Sequence, residues 1–278
     1  MDVAGSSLDE RALRARLVAP NGPYAALDVV ASTGSTNVDL VAAAEAGAAD
    51  RTVLIADSQT AGQGRLGRRW VSPPGTGLYL SVLLRLSGVP ATRLGWLPLL
   101  ASVALLDTLR HAGVQAVIKW PNDVLAGASR AKCAGVLAQA VTSAQSLAVV
   151  LGIGLNVLPP GAAIPAAAGG LPATSLAAEG AAELDRTELA TLLLGALASW
   201  EQVWRDAGGD AHDCGLRAEY RAACATIGQA VRVELPGDER LIGIATDIDA
   251  DARLILDDHT GRRHHVSAGD VVHLRAMS

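Results

Sequence analysis

The sequence predicts an α+β fold, in which helices flank a mixed β-sheet and a small β-barrel follows. Half of the 278 residues are apolar, which is enough to bury a large core. Apolar, β-favouring runs alternate with helical segments along most of the chain. From about Ile227 the segments become short and strand-like, with Pro-Gly, Asp-rich and Thr-Gly turns between them. We therefore expect a main domain over 1–225 and a barrel domain over 226–278.

The first two elements are a helix and a strand. LDERALRARL, residues 8–17, has helical composition, and Ser7 and Glu10 have the spacing of a capping box at its start. ALDVVAS, residues 26–32, is apolar and rich in β-branched residues, which predicts a strand.

A second helix follows in GSTNVDLVAAAEAG. Thr36 and Asp39 are spaced as another capping box, and Gly47 marks the end of the helix. Ser35 and Asn37 flank Thr36, so three polar side chains lie at a helix N-terminus, where free N–H groups meet polar ligands. Helix capping alone explains these residues equally well.

Three glycines in AGQGRLGRRW, residues 61–70, have the spacing of a dinucleotide-binding turn. That turn requires a following helix and an acidic residue about 20 positions on. Pro73 and Pro74 prevent the helix, and no acidic residue lies between Trp70 and Arg85. The sequence therefore argues against a dinucleotide site.

The same stretch instead predicts a glycine-rich loop between two strands that binds an anion. Glycines let the backbone pass close to a ligand, and the guanidinium groups of Arg65, Arg68 and Arg69 match the oxygens of phosphate or carboxylate. A solvated turn with surface arginines is the alternative.

The centre of the chain contains a long helix and four strands. Residues 92–112 have helical periodicity with an expected bend at Pro98. QAVIKWPNDVLAG predicts two strands joined by a turn, and AKCAGVLAQAV and SLAVVLGIGLNV predict two more. A low-complexity loop at 158–173 precedes another helix, which Asp185 caps and which ends near Asp206.

The two lysines of the chain lie in this strand-rich region. Lys119 opens KWPND, where a proline turn brings Asn122 and Asp123 beside it, and Lys132 opens KCAG. An amide and a carboxylate are oxygen ligands of the kind that Mg²⁺ uses together with substrate phosphates. With Asn156 at a further strand end, the set predicts a site for a polyphosphate and magnesium.

Composition and charge exclude several classes of protein. A net charge of -5 and a pI near 5.7 argue against bulk nucleic-acid binding. The N-terminus lacks a secretory pattern, and the most apolar stretch, residues 94–106, is too short to span a bilayer. We expect a cytoplasmic protein. Three cysteines without a C-x-x-C pair indicate free thiols rather than a disulfide framework or a zinc site.

Six motifs resemble, in order and spacing, those of the biotin protein ligases. They are STN at 35–37, Gln59, GQGRLGRRW at 62–70, KWPND at 119–123, KCAG at 132–135 and GIGLN at 152–156. The resemblance implies a catalytic domain of the class II synthetase and biotin/lipoate ligase type with an SH3-like C-terminal barrel. It also implies a ligase that uses ATP and Mg²⁺ to activate biotin as biotinyl-5'-AMP. The acceptor would be a lysine of a biotin carboxyl carrier protein domain, as in acetyl-CoA carboxylase.

The resemblance also implies roles for individual residues. Lys132 and Arg65 would be catalytic, and Asn122 and Asp123 would serve magnesium. Biotin would contact Ser35, Thr36, Asn37, Gln59, Gln63, Gly64, Arg65, Lys132 and Gly135. ATP would contact Arg65, Arg68, Trp70, Lys119, Asn122, Asp123, Lys132 and Asn156.

The chain departs from the family pattern at three positions. Gln63 replaces the usual arginine, Cys133 an aliphatic residue and Gln139 an acidic one. The first change removes a charge beside the intermediate and would weaken its retention. Because about 30 residues precede the STN motif, we expect no N-terminal DNA-binding domain and no DNA partner.

Two other functions fit the same residues. A lipoate or octanoate ligase would share the core fold and the adenylation step, because acyl specificity depends on the shape of the pocket. A sensor that binds biotin or its adenylate without turnover would also fit, with Gln63 as the residue that prevents catalysis.

Overall fold

The structure is a computed structural model that describes residues 7–142, 147–159, 171–235, 240–267 and 269–274. Its main feature is a seven-stranded sheet in the order β1-β2-β3-β7-β6-β5-β4. The strands are β1 Ala26–Val30, β2 Thr52–Ala56, β3 Gly77–Arg85, β4 Ala116–Lys119, β5 Asp123–Ala126, β6 Ala131–Thr142 and β7 Leu147–Asn156. The first two strands are parallel and the other neighbours are antiparallel, so the predicted mixed sheet is confirmed.

Within the described residues, five α-helices accompany this sheet and cover both of its faces. They are α1 Glu10–Leu17, α2 Thr36–Glu45, α3 Trp96–His111, α4 Arg186–Asp206 and α5 Leu216–Ala223. Helix α3 is apolar nearly all round and lies in the main core with α1 and α4. Helix α2 packs on the opposite face through a smaller cluster that includes Leu40, Leu83 and Val150. No helix in the described ranges is long and apolar enough to cross a membrane.

A five-stranded antiparallel sheet follows, in the order β11-β10-β9-β8-β12. Its strands are β8 Ala230–Glu234, β9 Arg240–Ile248, β10 Leu254–Asp258, β11 Arg263–Val266 and β12 Asp270–His273. Short strands and polar turns predict this region correctly. The exact boundary at 225/226 stays a prediction.

Two tryptophans join the second sheet to the first part of the chain. Trp96 and Trp120 are almost completely buried, and their indole N–H groups donate to the carbonyls of Ala250 and Ala252 at 2.8 and 3.3 Å. These contacts fix the position of the second sheet beside the strand ends of the first.

Both capping boxes predicted near the N-terminus are wrong. Asp9 caps α1 instead of Ser7, because its side chain accepts from the backbone N–H of Ala12 at 2.9 Å. In α2, Thr36 is already helical and Ser35 occupies the cap position without a capping hydrogen bond from its side chain. The hydroxyls of Ser35 and Thr36 therefore lie where they can serve a site.

Two further helix predictions are confirmed and one boundary shifts. Asp185 caps α4 by accepting from the N–H groups of Thr187 and Glu188. A positive φ of 91° at Gly47 terminates the turn after α2. Helix α3 begins later than residue 92, so Pro98 lies in its first turn, where its missing N–H has little cost.

Candidate active site

A cavity of about 340 Å³ lies under the loop 61–70, on the face of the first sheet that also carries α2. The structure brings every site residue predicted from the sequence to this one cavity: Ser35, Thr36, Asn37, Gln59, Gln63, Gly64, Arg65, Arg68, Trp70, Lys119, Asn122, Asp123, Lys132, Gly135 and Asn156. Arg69, Gly152, Gly154, Asp270 and Val271 also line it.

Glycines form the floor of the cavity. Gly135 of β6 pairs with Gly154 of β7, and Gly152 lies two residues away on the same face. A Cβ atom on Gly154 would lie 2.4 Å from the ring of Trp70, and one on Gly152 would lie 1.9 Å from Oδ1 of Asn37. The missing side chains therefore leave the space that the side chains of Trp70 and Asn37 occupy.

One end of the cavity is polar and uncharged. The side-chain carbonyl of Gln59 accepts from the backbone N–H and the hydroxyl of Thr36, at 2.9 and 3.2 Å. Its amide donates to the hydroxyl of Ser72 at 2.9 Å. Gln59 thus fixes the start of α2 relative to β2, and Ser35 also lines the cavity.

Asn37 is held by residues that the sequence reading did not assign to the site. Its amide donates to the side-chain carbonyl of Gln139 at 2.8 Å, and its carbonyl accepts from the hydroxyl of Ser81 at 2.6 Å. Ser81 also lies 2.7 Å from the hydroxyl of Thr36 and is fully buried. Ser81 interrupts the apolar run of β3, and a buried hydroxyl there requires a hydrogen-bond partner. That interruption is the feature of the sequence that could have indicated Ser81.

The loop 61–70 is a hairpin closed by backbone hydrogen bonds. The N–H of Trp70 donates to the carbonyl of Gly62 at 2.8 Å, and that of Gly64 donates to the carbonyl of Arg68 at 2.6 Å. At the tip, Leu66 has a positive φ of 55° and is 67% exposed. The structure confirms a glycine-rich turn rather than the start of a helix.

Arg65 turns from this hairpin into the cavity. Its guanidinium donates to Oδ1 of Asn122 at 3.2 Å. Burial lowers the pKa of Arg65, and the carboxylates of Asp270 and Asp123 oppose that effect. The partly desolvated guanidinium is therefore suited to an anionic ligand.

The two lysines lie close together and have different environments. The Lys132 ammonium pairs with Asp123 at 2.5 Å and lies 5.4 Å from the centre of the Trp70 ring. Lys119 is 4% exposed and has no ion pair or hydrogen bond from its ammonium within the described part of the chain. Burial lowers the pKa of Lys119, with Asp123 acting against it and Lys132 adding to it.

The cavity has a clear excess of positive charge. Its walls contain two carboxylates, Asp123 and Asp270, against five cationic side chains, which are Arg65, Arg68, Arg69, Lys119 and Lys132. A buried cation without a counter-ion is costly unless a ligand supplies the negative charge. The site is therefore suited to a ligand with several negative charges.

Trp70 and Asn156 both line the cavity. Asn156 is buried and its amide donates to the carbonyl of Thr174 at 3.0 Å. The indole N–H of Trp70 is buried and has no acceptor among the described residues. Since buried tryptophan N–H groups usually have a partner, this donor is available to a ligand.

Asp270 comes from the second sheet and was not predicted. Its carboxylate forms an ion pair with Arg68, although the two residues are 202 positions apart in sequence. It follows a small-residue turn in a barrel strand, and nothing local in the sequence distinguishes it from a surface acid.

The donor set at this site fits a magnesium ion through Asp123 better than through Asn122. Oδ1 of Asn122 already accepts from the cationic Arg65, whereas the ion pair of Asp123 with Lys132 uses only Oδ1 of the carboxylate. No cluster of three or more metal-binding side chains occurs within the described residues. Mg²⁺ would therefore depend on ligand phosphates, as it usually does at nucleotide sites.

Two family models match separate parts of the chain. The Biotin/lipoate A/B protein ligase family matches residues 29–156, and the Biotin protein ligase C terminal domain matches residues 226–274. The biotin–acetyl-CoA-carboxylase ligase of Mycobacterium tuberculosis is 47% identical over 273 residues, which are 96% of both chains. The chain belongs to the biotin protein ligase family.

Other biotin protein ligases agree with this assignment. The biotin–acetyl-CoA-carboxylase ligase of Paracoccus denitrificans is 33% identical, over 84% of this chain and 95% of its own. A solved biotin protein ligase of Aquifex aeolicus, in complex with biotin and ATP, superposes with a TM-score of 0.72 at 25% identity. The superposition covers 91% of this chain and 100% of the Aquifex chain.

Proposed function

We propose that this protein joins biotin to a lysine of a biotin carboxyl carrier protein domain and converts ATP to AMP and diphosphate. The observation that carries the proposal is the division of one cavity into an uncharged polar end and a cationic end that contains the unpaired Lys119. The polar end suits an uncharged ring that offers hydrogen-bonding groups. The cationic end suits a triphosphate.

The first chemical step joins the two substrates. A carboxylate oxygen of biotin attacks the α-phosphorus of ATP, and the bond from that phosphorus to the bridging oxygen breaks to release diphosphate. Negative charge builds on the phosphate oxygens in this step, and fixed cations stabilise it. We assign this role to Lys132, which Asp123 and Trp70 hold in place, and to Arg65.

The second step transfers the acyl group. The acceptor amine attacks the carbonyl carbon of biotinyl-5'-AMP, the bond to the phosphate oxygen breaks, and AMP leaves with that electron pair. The amine loses one proton as the amide forms. Lys132 and Arg65, which both line the cavity, would again stabilise the oxygens that gain charge.

We assign the remaining roles by the position of each residue in the cavity. We assign the ureido end of biotin to Ser35, Thr36 and Gln59, with Asn37 as their support. The Gly135 backbone, Gly64 and Gln63 would lie along biotin. ATP would contact Arg68, Lys119 and Asn156, and the free N–H of Trp70 would donate to it. Asp123 would hold the magnesium that accompanies the triphosphate, and the metal would neutralise charge on its phosphates.

Isotope exchange between diphosphate and ATP tests the first step directly. The purified protein is given Mg²⁺, ATP and either biotin, lipoate or octanoate in separate reactions. We expect exchange with biotin only. Exchange with lipoate or octanoate in place of biotin would assign the protein to another acyl ligase, and no exchange with any acid would identify a binding protein without turnover.

Transfer needs a second measurement. With a purified biotin carboxyl carrier domain, we expect one biotin per domain on its acceptor lysine and none on a domain in which that lysine is arginine. Mass spectrometry of the intact domain gives both results. Adenylation without transfer would contradict the proposed acceptor.

A further inference from the structure

Asp270 lies at the point where the second sheet meets the cavity. It is the first residue of β12 and lines the cavity. Its side chain is 9% exposed. Its carboxylate accepts from the guanidinium of Arg68. The preceding carbonyl, of Gly269, lies 3.5 Å from a guanidinium nitrogen of Arg65. One turn of the second sheet therefore contacts two arginines of the loop 61–70.

We propose that Asp270 is a positioning residue, through which the C-terminal sheet holds Arg68 and keeps the loop 61–70 closed over the cavity. The part of this proposal that concerns ATP rests on the proposed function. The closed loop does not depend on that function, because Asp270 and Arg68 are in contact without any ligand.

The carboxylate is well placed to act as a fixed anchor. The backbone of Asp270 lies opposite that of Glu234 in the antiparallel pair of β8 and β12. Three residues later, the ring of His273 forms a hydrogen bond with the hydroxyl of Thr226 at 3.1 Å. Thr226 is fully buried and accepts from the backbone N–H of Trp120, beside the KWPND turn. Strand β12 is thus attached at both ends to the walls of the cavity.

Arg68 lacks comparable support of its own. Its side chain is 46% exposed, and it stands on a hairpin whose tip is exposed. The hydrogen bond that Arg68 donates to Asp270 raises the pKa of Arg68 further above its usual value. Because the hydrogen bond to Asp270 uses one nitrogen of the guanidinium fork, the remaining N–H groups stay available to a phosphate. The carboxylate therefore orients the guanidinium without occupying all of its donors.

Limited proteolysis tests the loop directly, because trypsin cleaves after Arg65, Arg68 and Arg69. The variant Asp270→Asn keeps the size of the side chain and removes its charge. Without ligands, we expect cleavage within the loop to be about tenfold faster than in the original protein, since access to trypsin follows the opening of the loop. Asp270→Glu should recover most of the protection.

Asp257→Asn is the matched control. It removes an acid–arginine pair of the same sheet, with Arg263, that does not contact the loop. We expect its cleavage rate to equal that of the original protein. Equal rates in Asp270→Asn as well would overturn the proposal, and so would faster cleavage in both variants, because that result means general loosening of the sheet.

Steady-state diphosphate exchange gives the second readout. In Asp270→Asn we expect the KM for ATP to rise about tenfold, with kcat and the KM for biotin changed less than about threefold, as for loss of one charge-assisted contact. A purely structural role would instead lower kcat and the melting temperature together, which would refute the positioning role. If neither the original protein nor its variants show exchange, the proposed function is wrong. The cleavage rates still decide whether Asp270 holds the loop.

Discussion

At Gly154, the absence of a single carbon atom decides where an indole ring lies. The Trp70 ring contacts the backbone of β7 there and also lies against Gly135 on β6. Neither glycine has a positive φ, so the backbone itself would accept another residue. The requirement is for space, and that distinguishes these glycines from the ones in turns.

Gly154→Ala is therefore expected to displace Trp70 rather than to unfold the sheet. The new Cβ would start 2.4 Å from the ring, so the ring must move and the ATP end of the cavity must change shape. We expect the KM for ATP to rise by about tenfold or more, as for other misplaced binding groups. Gly195→Ala, on α4 with no atom near its Cβ, should leave the KM unchanged.

Lys132→Ala should abolish adenylation and leave the fold intact. The ammonium is the cation that Asp123 holds in the cavity, and its loss leaves the developing phosphate charge without that partner. We expect diphosphate exchange to fall by roughly 10²–10³-fold or more. A circular dichroism spectrum and melting temperature close to those of the original protein would show that the fold survives. An unchanged exchange rate would contradict the role of Lys132.

The site could be predicted from sequence wherever chemistry is concentrated in a short motif. Lys119 and Asp123 lie within one proline turn, and Lys132 opens the neighbouring strand, so their meeting follows from the strand order. Ser81 and Asp270 could not be found in this way. Neither belongs to a motif, and each reaches the site through a side-chain contact with a residue distant in sequence, Asn37 for Ser81 and Arg68 for Asp270.

At the scale of elements, apolar runs predicted the strands well and the capping residues poorly. Ser7 and Asp9 are both good N-cap types, and local sequence does not choose between them. The choice comes from α4, because the hydroxyl of Thr187 accepts from the backbone N–H of Asp9 at 3.0 Å. This tertiary contact fixes the start of α1 two residues later than the predicted cap.

The corrected cap gives a stability prediction for α1. Asp9→Ala should lower the free energy of unfolding by about 1 kcal/mol, because the N–H of Ala12 loses its acceptor. Ser7→Ala should change it by less than about 0.5 kcal/mol, as is usual for surface positions. Urea unfolding of both variants measures the difference. Equal effects would restore Ser7 as the cap.

At the scale of the whole molecule, a titratable side chain lies where the two sheets meet. His273 of β12 contacts the hydroxyl of Thr226, which also accepts from the backbone N–H of Trp120. Burial first, and then the charges of Lys119 and Arg130, lower the pKa of His273 to about 4, against about 6.5 for an unperturbed histidine. Between these values the unfolded chain binds a proton that the folded protein does not. The free energy of unfolding therefore decreases as the pH falls from about 6.5 toward about 4.

His273→Gln should reduce this acid sensitivity. We expect the loss of unfolding free energy between pH 7 and pH 5 to be smaller in the variant, by at most about 1 kcal/mol because the ring is partly solvated and screened. His259→Gln, at an exposed turn, is the control. The prediction fails if His273→Gln and the original protein lose the same amount.

The distance between Arg68 and Asp270 along the chain also has a consequence during synthesis. A ribosome adds roughly 5–20 residues per second. The 202 positions between the two residues therefore correspond to a delay of about 10–40 s, during which the hairpin exists without its carboxylate partner. Most of the residues that line the cavity are therefore synthesised before Asp270. We expect the loop 61–70 to close over the cavity only after Asp270 has been added and its sheet has folded.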